Sequence, residues 1–211
     1  MKLAIRTSSG PYAIGLFDHD LNLLAQKSLG ASEARQTTLG SLLQDCARIS
    51  DRPIDEISEI LVDLGPGGLS STRAGVSFAN ALAYGMRVKL LGVSALWMQT
   101  YDARANYHAP ILSMRPAPGG QSIWALFEGF DLTASGFSPP DEVIDDYRKR
   151  IGEFLVVGPM QRLNLKSDNG NNRLLDIESP SIESMLRSPK ISPSPNIKAG
   201  YLEPINSADG A

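Results

Sequence analysis

The sequence predicts an α/β chain of two lobes, each a mixed sheet flanked by helices, and three observations carry that expectation. Three short apolar runs open the chain, strand and helix patterns then alternate, and a glycine-rich turn, LGPGGLSSTRAG at residues 64–75, joins a buried-looking strand to a helix of small residues. The three runs lie at 2–7, 12–18 and 22–29, broken by SSGP at 8–11 and DHD at 18–20, a spacing that predicts consecutive hairpins. Leu39, Leu42, Leu43, Cys46 and Ile49 recur at three- and four-residue steps, which predicts a helix over about 32–50 that stops near Asp51 to Pro53. A short piece at 54–58 leads into a strand at 59–64, the glycine turn, a helix over about 71–84 and a strand at 89–93. Gly65, Gly67 and Gly68 allow positive φ and close backbone approach, Pro66 stiffens the turn, and Ser70, Ser71 or Thr72 is the expected helix cap.

Three antiparallel strands, helix, strand, helix, strand is the order of one lobe of the actin-like ATPase fold (ASKHA, RNase H-like), the architecture shared by sugar kinases and Hsp70. Residues 1–100 make that N-terminal lobe. A helix at 94–101 is followed by strands at 109–114 and 122–127 around RPAPGGQ. A helix at 139–151, with two prolines at its start and acids in its first turn, and a strand at 154–158 complete a smaller second lobe over 101–166. Residues 167–211 read as a partly disordered tail, asparagine-rich near 167–173 and alternating Ser and Pro at 188–196, with a short helix at 182–186. No internal repeat is evident.

Composition narrows the function. The 211 residues carry a net charge of −3 and no dense Lys/Arg run, which argues against a strong electrostatic footprint for nucleic acid and leaves any RNA an indirect partner. Cys46 is the single cysteine, so there is no intramolecular disulfide and no cysteine-rich zinc site. His19 and His108 are the only histidines and lie far apart in sequence, so neither a histidine metal site nor a catalytic dyad is expected. With no apolar run of signal-peptide or membrane-spanning length, the expectation is a soluble, cytoplasmic protein with no membrane partner.

What the glycine turn approaches is open between a phosphate and another protein surface. Amides at a helix N-terminus favour an anion, yet no GK pair follows as a P-loop needs, and GPGG runs into Leu69, Ser70 and Ser71 without the third glycine of a dinucleotide fingerprint. Arg73 either sits on an anion or pairs with a carboxylate or a partner surface. Gly75, Ala79 and Ala83 recur at four-residue steps; this small-residue stripe either admits a partner helix or packs inside its own lobe.

KLAIRTSS at 2–9, LGPGGLSSTRAGVSFANALAYG at 64–85 and LLGVSAL at 90–96 together resemble the TsaB (YeaZ) family, which has an AIDTS-like first strand, a GRGPGSFTGVRIG-like turn and helix, and a GVSSL-like strand end. The match is specific in Gly65, Pro66, Gly67, Arg73, Gly75, Gly85, Gly92, Val93 and Ser94, and IWALF at 123–127 falls where the family has an EVYWALY-like strand. The resemblance implies a non-catalytic scaffold and activator in making threonylcarbamoyladenosine at position 37 of tRNA. Its partner would be a TsaD-like protein, with a TsaE-like ATPase joining through the complex and a homodimer formed by the same surface when the partner is absent. Carried onto this chain, the partner surface is the first two helices: Leu39, Leu42, Leu43, Cys46, Arg73, Gly75, Val76, Ala79 and Ala83, with Gly65, Pro66 and Gly67 as the structural turn. No catalytic residue, metal or cofactor is expected.

The departures bear on chemistry. Arg6 stands where the family's first strand carries Asp, and the family's IDAR is Leu112, Ser113, Met114 and Arg115, keeping only the arginine. The arginine before GPG is Leu64. These losses count against a glycopeptidase-like hydrolase, which needs a nucleophile with a base or a metal holding water, and against a sugar-kinase-like phosphotransferase.

Overall fold

The computed structural model describes residues 1–29, 37–165 and 173–189. Two five-stranded sheets carry the chain. In the first, β1 (Lys2–Arg6), β2 (Tyr12–Phe17) and β3 (Leu23–Leu29) are antiparallel neighbours, while β4 (Glu59–Asp63) and β5 (Lys89–Val93) continue from β1 in parallel, giving the order β3-β2-β1-β4-β5. In the second, β6 (Ile111–Pro116), β7 (Ser122–Glu128) and β8 (Asp131–Ser138) are antiparallel, and β9 (Leu155–Gly158) and β10 (Arg173–Asp176) run parallel to β6, giving β10-β9-β6-β7-β8. The two sheets therefore have one topology used twice: a meander of three strands whose first member is extended by two parallel crossovers. That duplication is the actin-like ATPase arrangement. No repeat is evident in the sequence because what repeats is strand order and not residue pattern.

Helices α1 (Leu39–Ser50) and α2 (Leu69–Met86) cover one face of the first sheet. Leu42, Leu43 and Cys46 of α1 and Val76, Ala79 and Ala83 of α2 join Leu3, Ile5, Ile14, Leu16, Ile60 and Val62 in one core. Thr38 caps α1 by accepting from the Ser41 amide at 3.1 Å, and Asp51 ends the helix in the left-handed region. The α1 that sequence places over about 32–50 begins at Leu39, and its proposed first turn at 32–36 lies outside the described residues. In the second lobe, α4 (Pro140–Ile151) lays Val143, Ile144 and Tyr147 on Leu112, Met114, Leu126 and Val156.

Among the described residues, two helices tie the lobes together. The sequence reading puts residues 94–101 at the end of the N-terminal lobe, but α3 (Ala95–Arg104) serves both sheets. Its Leu96 packs on Ile123, Ala125 and Phe127, its Ala103 on Ile111, Leu155 and Val157, and its Met98 on Ala4, Phe17, Leu61 and Val93. The short α5 (Glu183–Arg187) returns from the second lobe to the first, adding Met185 and the preceding Ile182 to that last cluster. Strand β10 and α5 fall within the stretch that sequence assigns to the tail, and residues 166–172 and 190–211 of that stretch lie outside the described residues.

Candidate functional site

The glycine turn sits where the lobes meet. Asp63, fully buried at the end of β4, accepts the Gly65 amide at 2.8 Å and the Ser8 amide at 2.9 Å, so one carboxylate holds both the glycine turn and the loop after β1. Gly65 has φ 86°, in the region glycine tolerates, and its carbonyl accepts the Ala95 amide at 2.8 Å to seat the start of α3. The Gly68 amide donates to the Ser8 carbonyl at 2.9 Å, and a Cβ on Gly67 would collide with that same oxygen. Among the described residues, then, the close approach for which the turn is built is to the chain's own Ser8. The helix begins earlier than sequence suggests, at Leu69, with Gly68 as N-cap and no side-chain cap; Ser71 and Thr72 instead donate their hydroxyls to the Gly68 carbonyl, each at 2.8 Å.

Two arginines enter this junction from opposite sheets. Arg6, 5% exposed, donates to the carbonyls of Pro11 at 2.9 Å and of Pro180. Arg115, 1% exposed, donates through Nε to Pro66 at 3.2 Å and through Nη1 to Glu178 at 3.0 Å. Burial lowers the Arg115 pKa to about 10 against the opposing pull of Asp63, and burial lowers Arg6 in the same way. On the α3 side, Asp102 accepts from the amide and the hydroxyl of Ser181, both at 2.6 Å; burial raises its pKa while those hydrogen bonds restrain the rise. Asp63, Asp102 and Ser181 were not singled out from sequence. The only available signal was an acid placed directly before the glycine turn. His19 lies in the β2–β3 turn and His108 before β6, in different lobes, and no three of His, Cys, Asp and Glu gather as metal ligands among the described residues.

The partner-surface residues expected from sequence divide in two. Leu42, Leu43, Cys46, Gly75, Val76, Ala79 and Ala83 are buried in the core of their own lobe. The small-residue stripe thus faces inward, which corrects its assignment as a docking surface: α2 lies close on the end of β1, and a Cβ at Gly75 would strike Thr7. Leu39 stays half-buried and Arg73 exposed. The outward face of α2 is made by Arg73, Ala74, Ser77, Ala81 and Tyr84, the last 87% exposed. Between the starts of α1 and α2 this face adjoins a mostly apolar groove of about 540 Å³ lined by Leu29, Thr38, Leu39, Ala74 and Phe78 among others.

Residues 29–179 match the family model TsaD, tRNA N6-adenosine threonylcarbamoyltransferase. The tRNA threonylcarbamoyladenosine biosynthesis protein TsaB of Escherichia coli is 28% identical over 74% of this chain and 70% of its own length. The tRNA N6-adenosine threonylcarbamoyltransferase of Chlamydia felis is 25% identical over 74% of this chain, and the chain spans only 50% of that protein. The solved structure of YeaZ from Pseudomonas aeruginosa superposes with a TM-score of 0.71 at 16% identity, covering 88% of both chains, a likeness of fold. With the duplicated sheets, the glycine turn and a family match that spans most of its length, the chain belongs to the TsaD family, and within it is similar to the TsaB (YeaZ) proteins.

Proposed function

We propose that the chain is a non-catalytic accessory subunit in the synthesis of threonylcarbamoyladenosine in tRNA, acting as scaffold and activator of a TsaD-like catalytic subunit. The observation that carries this reading is the similarity to the TsaB of E. coli over most of both chains. Arg6 adds to it: the first strand presents a guanidinium, already engaged on two backbone carbonyls, at the position where the family's first strand holds an aspartate. A cytoplasmic setting, a TsaE-like ATPase joining through the complex, indirect contact with tRNA and a homodimer in the partner's absence belong to the same proposal.

The docking surface proposed here is the outward face of α2 with the adjoining start of α1, in place of the buried stripe. Arg73, Ser77, Ala81 and Tyr84 are presented by a helix whose other side is anchored in the core, so a partner helix meets a rigid surface. Leu39 at the groove supplies an apolar edge. The test is purification from the native cell followed by titration of the recovered partner. A TsaD-like protein should be recovered, and Ser77→Arg and Tyr84→Arg should melt like the parent while weakening association at least tenfold, on the order of 1.4 kcal/mol. Recovery of no TsaD-like protein would refute the assignment, and unchanged affinity in both variants would refute the surface.

A further inference from the structure

We infer that residues 177–188 form a strap that fills the cleft between the lobes and clasps them in one closed arrangement. The inference is independent of any partner. Successive backbone groups of the strap are taken by side chains from three directions. Gln99 of α3 donates to the Ile177 carbonyl at 3.1 Å, Arg115 of the second sheet to the Glu178 carbonyl at 3.0 Å, and Arg6 of the first sheet to the Pro180 carbonyl. Ser179 donates its hydroxyl to the Gly10 carbonyl in the loop after β1, and Ser181 gives both its amide and its hydroxyl to Asp102. Arg162 pairs with the Glu178 carboxylate at 3.2 Å. Beyond these polar ties the strap is pinned by Ile182 and Met185, 1% and 0% exposed, against Ala4, Ala13, Phe17, Leu61 and Val93 of the first sheet.

The polar pattern is what distinguishes a clasp from a tail that merely lies on the surface. Residues 178–181, the irregular part of the strap ahead of α5, have no ladder or helix to satisfy their carbonyls, so side chains must do so wherever water is excluded. Two of the three side-chain donors to the strap's carbonyls are arginines that are themselves buried, one from each sheet, and each also holds a loop of the first lobe: Arg6 holds Pro11 and Arg115 holds Pro66. Removing the strap would leave both guanidinium groups facing the cleft without those carbonyl partners, a costly state for buried charge. The strap, the β1–β2 loop and the glycine turn are therefore one hydrogen-bonded unit, and loosening one of them loosens all.

Hydrogen–deuterium exchange of the full-length protein, read by mass spectrometry, tests this. In the parent, amides at 177–183, at 8–10 and at 65–68 should be protected together. Asp102→Ala removes both ties to Ser181 and should speed exchange in the strap by at least about tenfold, with a parallel rise at 8–10 and 65–68, while α4 keeps its protection. Ser181→Ala, which removes one of the two ties, should give a smaller rise in the same three segments and serves if Asp102→Ala does not fold. A strap that exchanges rapidly in the parent overturns the inference, as does a variant that frees the strap without touching 8–10 and 65–68, or Ser181→Ala exchanging like the parent.

Discussion

Arg115 donates through Nε to the carbonyl oxygen of Pro66 at 3.2 Å, so the central strand of the second lobe holds the glycine turn of the first. This arginine is the residue of the family's IDAR motif that the chain retains, and its surroundings show a structural use for it. Arg115→Ala should destabilise the protein by about 3 to 5 kcal/mol, because the deletion leaves a cavity and two carbonyls without their donor. Arg115→Met keeps most of the stem volume and should cost about half as much. Urea unfolding followed by circular dichroism measures both, and equal losses would mean that the hydrogen bonds, not the packing of the stem, are the larger part.

Glycines of the turn and of the helix should respond in opposite directions. Gly67→Ala places a methyl group against the backbone carbonyl of Ser8, which cannot swing aside as a side chain could, and should lower stability by about 2 kcal/mol or more. Gly85→Ala meets nothing within 4 Å at an exposed helical position and should raise stability by up to about 1 kcal/mol. Melting temperatures of the two variants measured side by side check the pair.

The strand order of the first lobe was legible because its strands alternate with turn residues of strong conformational preference: β5 at 89–93 falls where the apolar run places it, and β1 and β2 differ from expectation by one residue at their ends. Strand β8 went unseen. DLTASGFS is a half-exposed edge strand of small and polar residues, so neither a buried run nor clean alternation marks it. The inward direction of Gly75, Ala79 and Ala83 was illegible for another reason: small residues at four-residue steps suit close packing on a sheet as well as on a partner helix, and period alone does not say which neighbour is present. Asp102 and Ser181 meet across 79 residues of chain, a separation at which sequence pattern carries no pairing signal.

Truncation is the sharpest check on the C-terminal segment. From sequence, a chain ending at about Lys166 retains every confident element, yet it lacks Ile182 and Met185 of the core shared by the lobes. Such a truncation should lose cooperative thermal unfolding. Ile182→Ala in the full chain should cost about 2 to 4 kcal/mol, and a loss under 1 kcal/mol would show that the segment contributes little to the core.

Cys46 offers a probe of the first lobe. The thiol is buried under β2, with Sγ 3.6 Å from the Ile14 carbonyl, and burial raises its pKa from 9.0 to about 11. The native thiol should resist alkylation at pH 8 and react at once in denaturant. Because the folded form holds its proton to higher pH than the unfolded form, the contribution of this group to stability is complete below pH 9 and is lost as pH rises toward 11. Cys46→Ala should remove that part of the pH dependence. Chemical denaturation of parent and variant at pH 8 and pH 10.5 compares them.

The return of α5 to the first sheet has a consequence for synthesis on the ribosome. Ala4, Leu61 and Val93 emerge early, but Ile182 and Met185, which cover them, are made almost a hundred residues after β5 closes the sheet. Until then that face of the N-terminal sheet is covered only in part, by Met98 of α3, and the apolar surface left open is the kind that chaperones bind and that aggregates form through. The first half of the polypeptide can take its shape as it emerges, but its maturation waits for nearly the whole chain.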